Sequence, residues 1–208
     1  DILVMERLKG VPFSNQKAIE PNLDKLKPKL EEGVKLFLQT FLKDGYFHAD
    51  LHGGNFFYLD NGQIGIIDFG LMGSLGKKGR KSFIAIIYSL ITFNYENLVF
   101  EFLDVAEYET IPDVDSLIID VRDALSPYIG LTVSQIDFSF LLQSIMKTLK
   151  NHQIYLPRDW YIVFRALMTL DGAGKSIGFD VDIYGLMEED IQDIIKTTLN
   201  KEELIEEA

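Results

Sequence analysis

The chain has 208 residues, of which 47 % are hydrophobic and 25 % are charged, a balance typical of a single globular domain. Its formal net charge of −12 argues against a basic nucleic-acid-binding surface, so no nucleic-acid partner is expected. The chain contains no cysteine, which excludes disulfides and thiolate metal sites.

The first predicted elements are a strand over residues 2–5 and a turn over residues 9–12. An amphipathic helix follows, with Pro28 near its start and Gly45 just past its end. Its apolar residues recur at helical spacing: Leu30, Val34, Phe37, Leu38, Phe41 and Leu42. This helix leads directly into a polar loop.

Two β-rich runs, at residues 56–59 and 64–67, flank the turn sequence Asp60-Asn61-Gly62 and predict a β-hairpin. After Gly73 the pattern becomes helical. The predicted helices occupy residues 78–93, 95–106, 114–126, 135–150, 158–176 and 183–199. The predicted fold class is therefore mainly α, with a small β-hairpin insert that carries the polar motif.

No targeting peptide is visible in the first residues, DILVME, which are typical of the middle of a domain. The longest uncharged apolar run, near residues 83–93, is shorter than the roughly 20 residues that a membrane-spanning helix needs. We therefore expect a cytoplasmic location, with peripheral contact to a membrane as an alternative.

The polar motif occupies residues 46–73 and reads YFHADLHGGNFFYLDNGQIGIIDFGLMG. It holds Asp50, then Asn55 five positions later, then the triplet Asp68-Phe69-Gly70 after the hairpin. This layout is typical of phosphoryl-transfer loops, because Mg²⁺ prefers a few oxygen ligands together with phosphate oxygens and water. The motif predicts a site for ATP and Mg²⁺.

Within this site, Asp50 is the candidate that accepts or orients the proton of the attacking hydroxyl or water. Asn55 and Asp68 are the candidate metal ligands, with the amide NH₂ of Asn55 bonding back towards the Asp50 loop. Each of the three also has a structural interpretation as a turn or capping residue. Phe69 is expected to pack, and Gly70 to allow a backbone angle that a Cβ would penalise.

Two further clusters have alternative interpretations. His48, Asp50 and His52 have the form His-x-Asp-x-His, which suggests zinc, although the glycines that follow favour an irregular loop. A basic patch at residues 77–81 contains Lys77, Lys78, Arg80 and Lys81. It is either a solvated helix start or a contact for phosphate or an anionic lipid headgroup.

The loop HADLHGGN at residues 48–55 and the segment IIDFGLMG at residues 66–73 resemble the UbiB family of atypical protein-kinase-like ATPases. This family includes the coenzyme Q-supporting kinases of bacteria and mitochondria. The segments LVMERLKGVPF, at residues 3–13, and LPRDWYIVFRALMTLDG, at residues 156–172, extend the resemblance over nearly the whole chain. One departure is Gly53, which stands where the family usually has proline.

The resemblance implies a protein-kinase-like large, C-terminal lobe. Asp50 matches the catalytic-loop Asp of the family, and Asn55 and Asp68 match its metal-binding pair. Met5 falls at the gatekeeper position, and the backbone of Glu6 and Leu8 is then expected to meet the adenine edge of ATP.

The expected organisation has a hinge strand and turn at residues 1–12, catalytic and metal-binding loops at 46–73, and a helical subdomain at 76–208. The family's small lobe carries a phosphate-contacting Lys, its Glu partner, an Ala-rich loop and a K-x-G-Q motif, none of which is found here. The N-terminal lobe of the same protein is therefore an expected partner. A lipid or membrane surface and a biosynthetic enzyme complex are the other expected partners.

The resemblance implies a kinase or ATPase that supports ubiquinone or lipid metabolism. One alternative is a phosphotransferase like the aminoglycoside or choline kinases, because H-x-D-L-H-x-G-N loops occur there too. Another is a nucleotide-binding pseudokinase scaffold without turnover. The sequence after the triplet, GLMGSLGKKGRKSF, favours the UbiB resemblance over the small-molecule kinases.

Overall fold

The computed structural model describes residues 2, 4–129, 131 and 136–179, and it is mostly helical with two small antiparallel sheets. The strands are β1 (Gly10–Pro12), β2 (Tyr46–His48), β3 (Phe56–Leu59), β4 (Ile64–Ile66) and β5 (Met72–Ser74). The helices are α1 (Gln16–Ile19), α2 (Leu23–Gln39), α3 (Lys77–Ile91), α4 (Tyr95–Val105), α5 (Val114–Leu125), α6 (Phe138–Asn151) and α7 (Arg158–Ser176). Short 3₁₀ turns at Glu20–Asn22 and Ser126–Tyr128 and a π-helical turn at Thr40–Asp44 complete the order.

The strand predicted over residues 2–5 is wrong for the residues described there. Ile2, Val4 and Met5 lie outside any strand and are 92 %, 86 % and 70 % exposed, because no described strand pairs with them. The first strand is instead β1, where a turn was predicted. It pairs antiparallel with β3, and a Cβ on Gly10 would collide with the carbonyl oxygen of Tyr58. The close approach of two backbones therefore requires glycine there.

The helix that precedes the polar loop is confirmed, but it begins earlier than predicted. α2 starts at Leu23, so Pro28 lies inside the helix and is exposed. The helix continues as the π-helical turn Thr40–Asp44 and ends at Gly45, which has a left-handed φ of 81°. The N–H of Gly45 donates to the carbonyl of Thr40 at 2.9 Å, so glycine terminates this helix as predicted.

The predicted hairpin is confirmed as β3 and β4, which pair antiparallel around the Asp60-Asn61-Gly62 turn. Gly62 has a φ of 80°, which an L-residue with a Cβ rarely adopts. β1 adds to this hairpin to give a three-stranded sheet in the order β1-β3-β4. A second sheet, formed by β2 and β5, was not predicted from the sequence.

The predicted helices of the second half are confirmed within a few residues at each end for α3 to α7, and the bounds of α7 match the prediction. Asn94, Asp113 and Asp137 cap the N-termini of α4, α5 and α6, each accepting a backbone N–H three residues later. The helix predicted at 183–199 lies outside the described residues. No helix in the described part of the chain combines the length and apolarity needed to cross a membrane.

A chain of aromatic contacts connects the helical part to the polar loop. Phe47 on β2 packs against Phe41 with 5.1 Å between ring centroids, and Phe41 packs against Phe83 on α3 at 4.9 Å. Phe83 in turn contacts Trp160 on α7 at 6.2 Å. All four side chains are buried, so β2 is anchored to the core immediately before the polar loop begins.

A polar cluster joins the start of α6 to the end of α7. Asp171 is 4 % exposed and accepts hydrogen bonds from the hydroxyl of Ser139 and from Nζ of Lys175, each at 2.8 Å. Lys175 also lies 3.1 Å from a carboxylate oxygen of Asp137. The backbone N–H of Phe140 and the neighbouring Lys175 lower the pKa of Asp137. This cluster places a paired carboxylate in the interior.

Candidate functional site

The two small sheets bring the three predicted site residues to one region of the molecule. Asp50 lies two residues past the end of β2, and β5, the partner of β2, begins four residues after Asp68. Asn55 stands immediately before β3, and its backbone oxygen accepts a 3.0 Å hydrogen bond from the N–H of Ile67, next to Asp68. Backbone pairing therefore holds the three positions beside the ends of neighbouring strands.

Asp50 is held from two directions. Its backbone N–H donates to Nδ1 of His48 at 3.1 Å, which shapes the loop just after β2. Its carboxylate oxygen Oδ1 accepts a 2.9 Å hydrogen bond from Nη2 of Arg165 on α7. The side chain of Asp50 is 31 % exposed, so it is accessible to a ligand from solvent. One carboxylate oxygen is oriented by Arg165, and the second can accept another donor.

Asn55 is buried, with 5 % of its surface exposed. Its side-chain Nδ2 donates to the backbone oxygen of Asp50 at 2.9 Å, as the sequence predicted. This bond connects the loop of Asp50 to the start of β3. Because Nδ2 makes this hydrogen bond, Oδ1 is the atom of the Asn55 side chain that can accept a donor or bind a cation.

Asp68 adopts a left-handed backbone conformation with a φ of 60°, and its Oδ1 accepts the N–H of Gly70 at 3.1 Å. The prediction for Gly70 is corrected here, because the positive φ falls on Asp68 and not on Gly70. Aspartate tolerates this conformation better than most residues because its side chain bonds to nearby backbone. A Cβ on Gly70 would lie 2.9 Å from Oδ1 of Asp68, so a larger residue there would require the Asp68 side chain to shift.

The His-x-Asp-x-His alternative for zinc is wrong. Nδ1 of His48 is bonded to the N–H of Asp50, and Nδ1 of His52 accepts the N–H of Gly54 at 3.1 Å. Across the described residues, no three His, Asp or Glu side chains form a group that could hold a metal ion. A divalent ion at Asn55 and Asp68 would therefore need oxygens from a ligand or water as well.

Arg165 is the residue that sequence reasoning missed. It is 115 positions from Asp50 in the chain, and its side chain is 56 % exposed. The available signal was a single basic residue between Arg158 and Lys175, within an otherwise largely apolar stretch of α7. Helical periodicity identifies neighbours on the same helix only. It could not identify Asp50 as the partner of Arg165, because Asp50 lies in the loop after β2.

Of the two residues expected to meet adenine, Leu8 lies beside the hairpin. The backbone oxygen of Lys9 accepts the N–H of Asp60 at 3.0 Å, and Leu8 packs over Gly65 of β4. Glu6 is exposed and Leu8 is half-buried. Their role in adenine binding stays a prediction.

The basic patch of residues 77–81 is partly engaged in structural contacts. Nζ of Lys78 lies 3.1 Å from a carboxylate oxygen of Asp104, and Arg80 donates to the carbonyl of Leu75 at 2.8 Å. The contact with phosphate or an anionic lipid headgroup stays a prediction.

Two sequence models of known families match the chain. The model of the ABC1 atypical kinase-like domain matches residues 1–102, and the model of the UbiB helical domain matches residues 121–182. The first match contains the loops of Asp50, Asn55 and Asp68, and the second contains Arg165. The contact between Arg165 and Asp50 therefore joins the two matched regions.

Among solved structures, the chain is similar to the Rv3197 protein of Mycobacterium tuberculosis, which was solved in complex with erythromycin. The two share 21 % sequence identity with a TM-score of 0.58. The similarity covers 88 % of this chain and 48 % of that chain, so this chain spans about half the length of that protein. Together with the ABC1 match, it confirms the predicted fold class, a mainly α kinase-like lobe with a small β part.

Proposed function

Because the chain belongs to the UbiB family of atypical kinase-like proteins, we propose that it is the large lobe of an ATPase or kinase that binds Mg-ATP. The bound nucleotide is hydrolysed, or its γ-phosphoryl group is transferred to a small or lipid-linked acceptor. The observation that carries this proposal is the hydrogen-bonded frame around Asp50, Asn55 and Asp68. These residue types, on neighbouring loops, match the chemistry of phosphoryl transfer.

Asp50 would orient the attacking hydroxyl or water. Phosphoryl transfer passes through a loose transition state, so catalysis depends more on positioning than on proton abstraction. The 2.9 Å bond from Arg165 supports such positioning, because it holds one carboxylate oxygen and leaves the other for the acceptor. The bond from Asn55 to the backbone of Asp50 restrains the same loop from the other side.

Asn55 and Asp68 would hold Mg²⁺, and their chemistry fits that ion. An amide oxygen and a carboxylate are hard ligands, and Mg²⁺ is usually bound by one or two protein groups together with substrate phosphates. When bound, Mg²⁺ neutralises the charge of the phosphate oxygens. The turn between Asp68 and Gly70 keeps one carboxylate oxygen engaged with backbone, which limits the rotation of the side chain.

The adenine edge would lie against the backbone of Glu6 and Leu8, and the N-terminal lobe of a longer protein would cover it. The proposed biological role is support of ubiquinone or lipid metabolism, in contact with a membrane surface and a biosynthetic enzyme complex. The family membership and the basic patch of residues 77–81 support this role.

A second candidate function is a nucleotide-binding scaffold without turnover. The ion pair between Asp50 and Arg165 is compatible with this function as well, because a structural ion pair needs no acceptor hydroxyl. The two functions share the metal pair and differ in whether phosphate is released.

A calorimetric titration of Mg-ATP, with phosphate release followed in parallel, tests both functions. It should be made on the 208-residue chain and on the protein encoded by its open reading frame. We expect saturable binding that disappears when EDTA removes Mg²⁺, because Asn55 and Asp68 would hold the phosphates only with the help of this ion. Binding with turnover supports the ATPase or kinase, and binding without turnover supports the scaffold. Equal binding with and without EDTA would contradict both.

We expect Arg165→Ala to lower kcat for nucleotide turnover by about 10-fold, because a displaced Asp50 orients the acceptor poorly. The affinity for Mg-ATP should stay within about twofold of wild type, since Arg165 contacts neither metal ligand. Arg158→Ala, at the start of the same helix, is the matched control and should leave kcat unchanged. If Arg165→Ala turned over nucleotide at the wild-type rate, Arg165 would have no positioning role.

A further inference from the structure

A groove with a volume of about 720 Å³ lies between α2, the two small sheets and the C-terminal end of α7. Its α2 wall extends from Lys29 to Thr40, which is about 17 Å at 1.5 Å per residue. The other walls are largely apolar and include Phe47 of β2, Phe56 of β3 and Leu170 of α7. We call this feature the α2 groove. Its length suits a short helix better than a compact small molecule.

The α2 groove is bordered by apolar side chains that are open to solvent. Leu36 of α2 and Phe69, next to Asp68, both line the groove, and each is 61 % exposed. Tyr46 at the start of β2 and Met72 at the start of β5 also line it and are exposed. An exposed apolar patch that continues into a groove indicates a surface that another segment or molecule covers.

Gly33 makes the α2 wall of the groove shallow. It lies in the middle of α2 and lines the groove, although glycine inside a helix is less favourable than alanine. A Cβ on Gly33 would meet no described atom within 4 Å, so packing among the described residues does not require a glycine. A second helix lying along α2 would use this space, because the missing side chain lets two backbones approach closely.

The described part of the chain ends in the wall of the α2 groove. Gly178 has a left-handed φ of 71°, and its N–H donates to the carbonyl of Lys175 at 3.1 Å. The N–H of Phe179 donates to the carbonyl of Gly174 at 3.0 Å. These two bonds form a Schellman motif, which ends α7 and redirects the chain. Ile177 and Phe179 both line the groove, so residue 180 starts beside it.

The sequence predicts a helix over residues 183–199, three residues after this exit point. Two helices joined by so short a connection usually pack as antiparallel neighbours, which would direct the predicted helix back along α7 and α2. At 1.5 Å per residue it would be about 25 Å long, enough to span the α2 wall. Its apolar residues share one face at helical spacing: Tyr184, Met187, Ile191, Ile194, Ile195 and Leu199.

We propose that residues 183–199 form a helix whose apolar face docks in the α2 groove of the same chain. The apolar face would cover Leu36 and Phe69, and polar residues such as Asp193 would face solvent. Because the segment is tethered at the edge of the groove, docking is intramolecular and has an effective concentration in the millimolar range. The proposal depends on neither nucleotide nor metal.

A spin label on the segment tests where it lies. The chain has no cysteine, so Lys196→Cys provides a single site for a nitroxide on the polar face of the predicted helix. In the 208-residue chain without nucleotide, the label should remove most of the methyl NMR intensity of Val34, Leu36 and Leu170, which line the groove. The methyl signals of Val121 on α5, which does not line the groove, should keep their intensity.

Variants of the labelled chain separate docking from proximity by chance. Ile191→Asp combined with Ile195→Asp should lower the docked population at least about 100-fold, as the loss of two buried isoleucine side chains predicts, and should restore the groove signals. Thr197→Asp combined with Asn200→Asp adds the same charge on the polar face, so the intensity loss should remain. Gly33→Leu, which fills the groove from α2 and favours the helix, should also restore the signals.

Unchanged groove signals in the labelled chain would overturn the proposal, and this result does not depend on how any variant of the segment folds. Equal behaviour of the two double variants would overturn it as well. Mixing spin-labelled chain with isotope-labelled chain that carries no nitroxide tests a second copy as the occupant. Intensity loss in that mixture would assign the groove to the second copy and contradict intramolecular docking. None of these results bears on the Mg-ATP titration.

Discussion

Asp68→Asn is expected to lower Mg²⁺-dependent nucleotide turnover by about 10³-fold, since a lost charge contact to a metal in the transition state is worth several kcal/mol. Asparagine has nearly the same shape, tolerates the left-handed φ of 60° and can still accept the N–H of Gly70. The substitution therefore removes the negative charge and leaves the turn in place. Phosphate release at saturating Mg-ATP measures the effect.

Asp60→Asn, in the exposed turn between β3 and β4, is the matched control for this variant and should keep wild-type turnover. Circular dichroism should show the same fold for both variants. Raising the Mg²⁺ concentration should partly restore the Asp68 variant, because a weaker site fills at higher metal concentration. Turnover at the wild-type rate in Asp68→Asn would remove Asp68 from the proposed metal pair.

Lys175→Met should lower the free energy of unfolding at pH 7 by about 3 kcal/mol, at the low end for breaking a buried ion pair, because Lys175 itself is partly exposed. The variant leaves the carboxylate of Asp171, which is 4 % exposed, with only the hydroxyl of Ser139 as its described partner. Urea unfolding followed by circular dichroism measures the change. Lys147→Met, an exposed lysine of α6, should change stability by less than about 0.5 kcal/mol.

The same cluster predicts that the stability of the folded chain depends on pH in the alkaline range. Burial by itself lowers the pKa of Lys175, but the hydrogen bonds and charges of Asp171 and Asp137 outweigh burial and raise that pKa above its ordinary value of 10.5. A raised pKa in the folded state means that the stabilisation is complete below the unfolded value and is lost as pH rises through the folded value. Wild type should therefore lose stability above about pH 10.5, and Lys175→Met should lack this component.

A double variant distinguishes the loss of the ion pair between Lys175 and Asp171 from the loss of packing around the lysine side chain. Asp171→Asn added to Lys175→Met removes the unpaired charge, so it should recover most of the lost stability. If the double variant is as unstable as Lys175→Met, lost packing of the lysine stem explains the effect. A change of less than about 0.5 kcal/mol in Lys175→Met would show that the pair contributes little.

Much of the fold was predictable because its signals are local in the chain. The Asp60-Asn61-Gly62 turn predicted the hairpin, and Gly45 marked the end of the long helix. The helical spacing of apolar residues located the helices of the second half. The residue types and spacing of Asp50, Asn55 and Asp68 predicted a phosphoryl-transfer site, and hydrogen bonds connect the segments that carry these residues.

The sequence was less informative where pairing decides the structure. The apolar run at residues 2–5 has the composition of a strand, but no described strand pairs with it, and β1 forms beside β3 instead. A strand gains its hydrogen bonds only from a neighbour, so composition alone could not locate it. The same holds for β2 and β5, whose pairing brings the loop of Asp50 beside that of Asp68.

The sequence by itself determined the mainly helical class, the hairpin and the residue types of the candidate site, because periodicity and turn chemistry act over a few neighbouring residues. Only the tertiary structure decided that Arg165 holds Asp50 and that Asp68 takes the left-handed conformation. The conformation of Asp68 is accompanied by its hydrogen bond to Gly70 and is not encoded in residue composition. The contact between Arg165 and Asp50 joins elements far apart in the chain, whose relative positions are set by the packing of the whole core.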